Sequence, residues 1–113
     1  MWDGPMANWM KALDQIMDMD VETIVPGHGP ITDKSGVESM KAYWQWVETE
    51  ARKRYEAGMP AAEAAEEMLS GPYSAWGDPE RIVINVDALY REFAGDSTPA
   101  NRVELFGIMA KLI

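Results

Sequence analysis

The sequence has no cysteine, one histidine and two phenylalanines in 113 residues. Without a thiol, disulfide bonding, zinc ribbons, iron–sulfur clusters and cysteine nucleophiles are all excluded. Basic side chains are scarce as well: 10 Lys and Arg stand against 19 Asp and Glu, a formal net charge of −9. A nucleic-acid partner needs cations to displace counterions from phosphates, so this balance argues against one. The same sign disfavours an anionic membrane surface. No apolar run approaches the roughly 20 residues that span a bilayer. Met1-Trp2-Asp3-Gly4-Pro5 has neither a basic nor an apolar leader region, so no secretory signal is expected and a cytoplasmic setting is the default.

What is present is a hydrophobic fraction of 47% with 26% charged residues, the composition of a chain that can bury a core. The length suits one domain over 1–113. Nine Met and five Trp are many for this size, and they point to apolar surface that belongs to an interface. No internal repeat or low-complexity tract divides the chain.

The periodicity predicts a mostly α fold of about five helices with one short strand. Asp3 and Pro5 suit a helix start. Trp9, Leu13, Ile16 and Met17 then make one apolar stripe, ending near Asp18. Val21-Glu22-Thr23-Ile24-Val25 reads as the strand, stopped by Pro26-Gly27-His28-Gly29-Pro30. A lone strand leaves backbone groups unpaired, so a partner strand from another subunit or a missing segment is expected.

After the caps Thr32, Asp33 and Ser35, a long helix is predicted from about Gly36 to Ala57, with Val37, Met40, Trp44, Val47, Ala51 and Tyr55 on one face. Glu48–Arg52 and Glu50–Arg54 are i, i+4 pairs of favourable polarity. Gly58 stands where a left-handed cap belongs, and Pro60 opens a short helix to about Leu69. Gly71 to Gly77 is a loop carrying Tyr73 and Trp76. Ile82 to Val86 has strand-like residues, but the Asp78-Pro79-Glu80 start and the Gly95 stop favour a helix. A last helix is expected from Thr98-Pro99, with Val103, Phe106, Met109 and Ile113 on one face.

The segment Val-Glu-Thr-Ile-Val-Pro-Gly-His-Gly-Pro at 21–30 resembles the last metal-ligand motif of the metallo-β-lactamase fold hydrolases, in which a short strand ends in a Pro-Gly-His-Gly turn. The surroundings are similar too. A helix precedes the strand, Lys41-Ala42-Tyr43-Trp44 lies on a long helix that follows, and Glu-Ala-Gly-Met-Pro at 56–60 and Asn85 to Phe93 resemble the helical tail of some of these enzymes. The resemblance implies that 1–35 is a helix–strand–turn unit from the end of an αββα sandwich and 36–113 a helical tail. It also implies that His28 descends from a ligand of a zinc or iron site.

The family's main ligand signature, His-x-His-x-Asp-His, is absent, and His28 is the only histidine. The chain therefore looks like the carboxy-terminal part of such a hydrolase without its catalytic half. A catalytic zinc site needs about three protein ligands, and Asp33 and Asp3 lack ligand spacing with His28. No catalytic residue and no cofactor is expected for the isolated chain. Zinc or iron is expected only if another polypeptide completes the site.

The bland reading serves the other candidates better. Gly27 and Gly29 permit a tight turn. Glu63, Glu66 and Glu67 form a solvated helix face. Glu22, Asp33, Glu38 and Asp87 have no feature that marks a general acid or base. Ser35, Ser39, Ser70 and Ser74 suit caps and loops. Trp44 and Trp46 lie about 200° apart on a helix, so one of them must meet a partner or another segment, such as the Tyr73–Trp76 loop.

Three functions follow as expectations. The first is a non-catalytic helical domain that acts by self-association or partner binding, covering its apolar surface in a homo-oligomer. The second is one half of a split metal-dependent hydrolase, contributing His28. The third is a small-ligand-binding domain using Trp44, Trp46, Tyr73 and Trp76.

Overall fold

The computed structural model describes residues 4–26 and 30–113. Its elements in chain order are α1 (Met6–Asp18), α2 (Lys34–Glu56), α3 (Ala61–Leu69), a 3-10 turn (Pro79–Arg81), α4 (Ile82–Phe93) and α5 (Arg102–Leu112). The mostly α class with five helices is what the sequence predicts. None of the helices among the described residues is long and apolar enough to cross a membrane.

α4 is the centre. Ile82, Val83, Ile84, Asn85, Val86, Ala88 and Leu89 are all buried on it. A helix covered on most sides is apolar on most sides, and that is why its sequence reads partly as a strand. α2, α3 and α5 pack on it. Val47 and Ala51 of α2, Ala64, Ala65 and Met68 of α3, Met6 of α1 and Leu105 of α5 complete the buried cluster. The four alanine-or-valine positions facing α4 leave short side chains between backbones, so the helices approach closely.

α2 follows its predicted stripe at Val37, Trp44, Val47 and Ala51, all buried, while Met40 is exposed. Asp33 caps it, its Oδ1 accepting from the Ser35 N–H at 2.9 Å and from the Ser35 hydroxyl at 2.5 Å. Gly58 ends it with φ of 79°, a left-handed conformation that a Cβ would strain. Both predicted ion pairs form, Glu50–Arg54 at 2.9 Å and Glu48–Arg52 at 4.0 Å. The expected capping residue of α1, Asp3, lies outside the described residues. What holds that helix end is distant in sequence: the Glu92 carboxylate accepts from the Met6 N–H at 3.1 and 3.3 Å. A carboxylate at a helix N-terminus meets unpaired N–H donors and the positive end of the dipole.

The strand expected over 21–25 is reduced to one antiparallel bridge, Ile24 with Thr32, joined by N–H···O bonds of 2.8 and 2.9 Å. The sequence itself blocks a longer ladder. The next hydrogen-bonded pair toward the turn would be residues 26 and 30, both proline and both without an N–H. The next pair in the other direction would include Lys34, already the first residue of α2. The described pairing partner of Ile24 is thus Thr32 of the same chain.

α5 also departs from expectation. It starts at Arg102, not at Thr98-Pro99. The Asn101 side chain accepts from the Glu104 N–H at 3.2 Å and forms the cap. The Thr98 N–H donates to Asp96 at 2.9 Å and its carbonyl accepts from Arg91, which holds the preceding segment as a turn. The face turned inward carries Leu105, Ile108, Met109 and Leu112. Of the predicted stripe Met109 packs against the core; Val103 is 84% and Ile113 89% exposed, and more than half of the Phe106 surface is open. The helix is apolar on both sides, so periodicity could not choose between them.

Glu50 gives the fold a pH dependence. Hydrogen bonds from Arg54 at 2.9 Å and Lys53 at 3.1 Å hold its carboxyl below the ordinary glutamate range. A depressed folded-state pKa contributes stability above the unfolded pKa, and that stability is lost as pH falls through the folded value. Between about pH 6 and about pH 3 the wild type should lose more of its urea midpoint than Glu50→Gln. Equal losses in the two proteins would show that the pair does not act this way.

Candidate functional site

Two parts of the molecule bear on function: the 19–32 segment and an aromatic groove. His28, Gly27 and Gly29 lie outside the described residues, so the position of the candidate ligand is not part of the described geometry. Among the described residues no three His, Cys, Asp or Glu side chains come together in a way that could hold a metal ion. Asp33 is engaged in the α2 cap, which lowers its pKa through the Ser35 hydroxyl and N–H. The donors among the described residues therefore do not by themselves make a three-ligand site, and no reaction step is derived through zinc or iron.

Four of the other acidic and hydroxyl candidates have structural partners. Glu67 pairs with Arg54 at 3.1 Å, and Asp87 pairs with Arg91 at 2.8 Å. Ser39 and Ser70 donate to the carbonyls of Ser35 and Glu67, as helix-surface and helix-end hydroxyls do.

The groove lies between α2, the 70–78 loop, the 3-10 turn and the start of α4, with a volume of about 720 Å³. It brings together all four residues singled out from sequence. Trp44 and Tyr43 are adjacent on α2 with edge-on rings 5.2 Å apart. Trp44 is 5% exposed and belongs to the core, with Trp9 of α1 against it at 6.0 Å. Trp46 points to the other side and meets Tyr73 at 5.3 Å. The 200° separation of the two tryptophans is resolved in this way, one inward and one onto the loop. Trp76 stacks on Tyr43 at 5.2 Å, and Tyr73 stands edge-on to Trp76 at 4.7 Å and to Tyr43 at 5.1 Å. Offset and edge-on arrangements are the favourable ones for ring quadrupoles.

Gly71 is what lets the loop come so close. A Cβ there would lie 2.6 and 2.8 Å from the Trp46 ring. Asn85, buried on α4, donates from its amide to the Tyr43 hydroxyl at 2.8 Å. Burial raises the Tyr43 pKa above the usual phenol value, partly offset by that hydrogen bond. Three charged residues line the groove: Asp78, Arg81 and Arg102. The Arg81 Nε is 3.8 Å from an Asp78 carboxylate oxygen.

Sequence reasoning missed Asn85 and the two arginines. Asn85 carries no local signal, since its partner is 42 residues away. It also missed a second aromatic group, in which Tyr55 meets Tyr90 at 5.2 Å and Phe93 at 5.4 Å, with Arg52 over the Phe93 ring at 4.2 Å.

Compared with protein families, with curated proteins and with solved structures, the chain finds no match in any of the three.

Proposed function

We propose that this chain is a non-catalytic helical domain, related to the carboxy-terminal region of metallo-β-lactamase-like hydrolases, that works by association with a second copy or with a missing hydrolase half. One observation carries the reading: within the unit that resembles the end of the hydrolase core, the segment after α1 leaves apolar residues exposed, while Met6 of α1 packs into the core that the helical tail builds. Val25 is 75% and Ile31 69% exposed, and Met19 and Val21 of the same segment are exposed as well. In an αββα sandwich this unit would have a sheet to cover it. A cluster of exposed apolar side chains is the usual mark of an interface. The shape agrees: the radius of gyration is 14.5 Å, against about 13 Å for a closely folded chain of this length.

Light scattering on the purified chain, from micromolar to near-millimolar concentration, should report a homo-oligomer, and Val25→Asp with Ile31→Asp should return it to monomer with unchanged circular dichroism. A monomer at every concentration would overturn self-association. If the chain alone held stoichiometric zinc or iron and lost it in His28→Ala, the split-hydrolase reading would replace this one.

A second reading, small-ligand binding, is favoured by a separate observation. The groove at Tyr43, Trp46, Tyr73 and Trp76 is of ligand size and mostly apolar, with a few polar groups among its lining residues.

A further inference from the structure

We infer that the aromatic groove takes a neutral, planar heteroaromatic molecule, packed against Trp76 and accepting a hydrogen bond from the Tyr43 hydroxyl; this rests on the small-ligand reading of the groove. Size sets the first bound. A volume of about 720 Å³ falls within the range of small-molecule sites.

The lining sets the shape. Tyr43 packs on Trp76 at 5.2 Å, and Tyr73 on Trp76 at 4.7 Å. Met40 and Trp76 line the groove and are exposed, so two of its side chains leave apolar surface in water. A flat ring extends such a stack, meets the Met40 sulfur along its edge and covers that surface.

Charge sets the class. Three charged residues line the groove, and none of them offers an uncompensated charge. Asp78 and Arg81 face each other at 3.8 Å, and Arg102 is not without a partner. A charged ligand would give up hydration here with no unpaired opposite charge to replace it, which is costly. A neutral ring carries no such cost.

One polar group then asks for a match. Tyr43 and Asn85 both line the groove, and the Tyr43 oxygen accepts from the Asn85 amide at 2.8 Å. Asn85 is buried on α4, so it holds that oxygen from the core side. A phenol that accepts one hydrogen bond still has its O–H to donate, and among the described residues the Tyr43 hydroxyl donates to none. A ring nitrogen or a ring carbonyl is an acceptor that a flat ligand carries in its own plane.

The test titrates four planar bicyclic probes into the full chain, at a pH well above the quinoline pKa. Quinoline is a neutral acceptor, and indole is neutral without an acceptor nitrogen. N-methylquinolinium is the cation and 2-naphthoate the anion. Calorimetry gives the affinities, and the indole N–H resonance of Trp76 reports the place. The expected result is saturable one-to-one binding of quinoline, tighter than either ion and about fivefold tighter than indole, as suits one neutral hydrogen bond. Tyr43→Phe keeps the ring and removes the hydroxyl. It should bring quinoline down to the affinity of indole and leave indole unchanged. Trp76→Ala, on the loop and outside the buried core, should weaken both neutral probes.

Equal affinity for quinoline and indole, with both weakened by Trp76→Ala, would overturn the acceptor while leaving the groove as a ligand site. A quinoline preference that survived Tyr43→Phe would overturn the role of the hydroxyl. Tightest binding by either ion would overturn the neutral class. No saturation by any probe up to millimolar concentration would overturn the inference and the small-ligand reading together. Binding that neither moved the Trp76 resonance nor weakened in Trp76→Ala would overturn the inference by placing the site elsewhere.

Discussion

Replacing Leu89 with alanine should lower the unfolding free energy by about 2–5 kcal/mol, the range for a fully enclosed leucine that leaves a cavity. Leu89 has no exposed surface and sits on α4, the helix that α2, α3 and α5 all touch. The buried cluster around it includes Ala51, Ala64 and Ala65, whose short side chains have no rotamers with which to fill the space left. For a chain of this size such a loss moves the thermal midpoint by roughly 10–20 °C. Thermal unfolding followed by circular dichroism measures it. Val103→Ala on the open side of α5 is the comparison, expected within about 0.5 kcal/mol of wild type. A Leu89→Ala midpoint no lower than that of Val103→Ala would mean that α4 is not the centre of the fold.

Trp44→Ala should be as damaging, about 3–5 kcal/mol, through a different route. The indole is buried where α1 meets α2, against Trp9 at 6.0 Å and Tyr43 at 5.2 Å. Removing it takes away one wall of the inner face of α1, which Met6, Met10 and Leu13 at the core, the Lys41–Asp14 ion pair and the Glu92 carboxylate on Met6 also hold. Urea unfolding should show the loss, and near-ultraviolet circular dichroism should lose the coupled aromatic signal. Trp76→Ala, on the half-open groove wall, should cost far less. If the two substitutions destabilised the protein equally, Trp44 would not be the buried member of the set.

Much of the helical layout is legible from local signals. The spacing of Val37, Trp44, Val47 and Ala51, the Asp33 cap and the positive φ at Gly58 are each decided within one or two turns of chain. So is the divergence of Trp44 from Trp46, which follows from helix geometry alone. The Ile24–Thr32 bridge was equally available: the prolines at 26 and 30 remove both donors that would lengthen it. β-branched residues at 21–25 favour a strand, but a strand also needs N–H groups at its next rung, and there the chain has none.

The candidate groove was visible only as parts. Aromatic residues on α2 and on the loop could be named, but Gly71 against Trp46 and Asn85 under Tyr43 join positions far apart in the chain.

By itself, the sequence determined which stretches are helical, where most of them begin and stop, and that this chain's own donors cannot make a three-ligand metal centre of histidine and cysteine. Those properties depend on residue type and on neighbours within a few positions. Only the tertiary structure decided which side of α5 is covered, that Glu92 closes the start of α1, and that six aromatic rings from three segments share one groove. These depend on contacts between residues tens of positions apart, and an apolar side chain carries no mark of the partner it will meet.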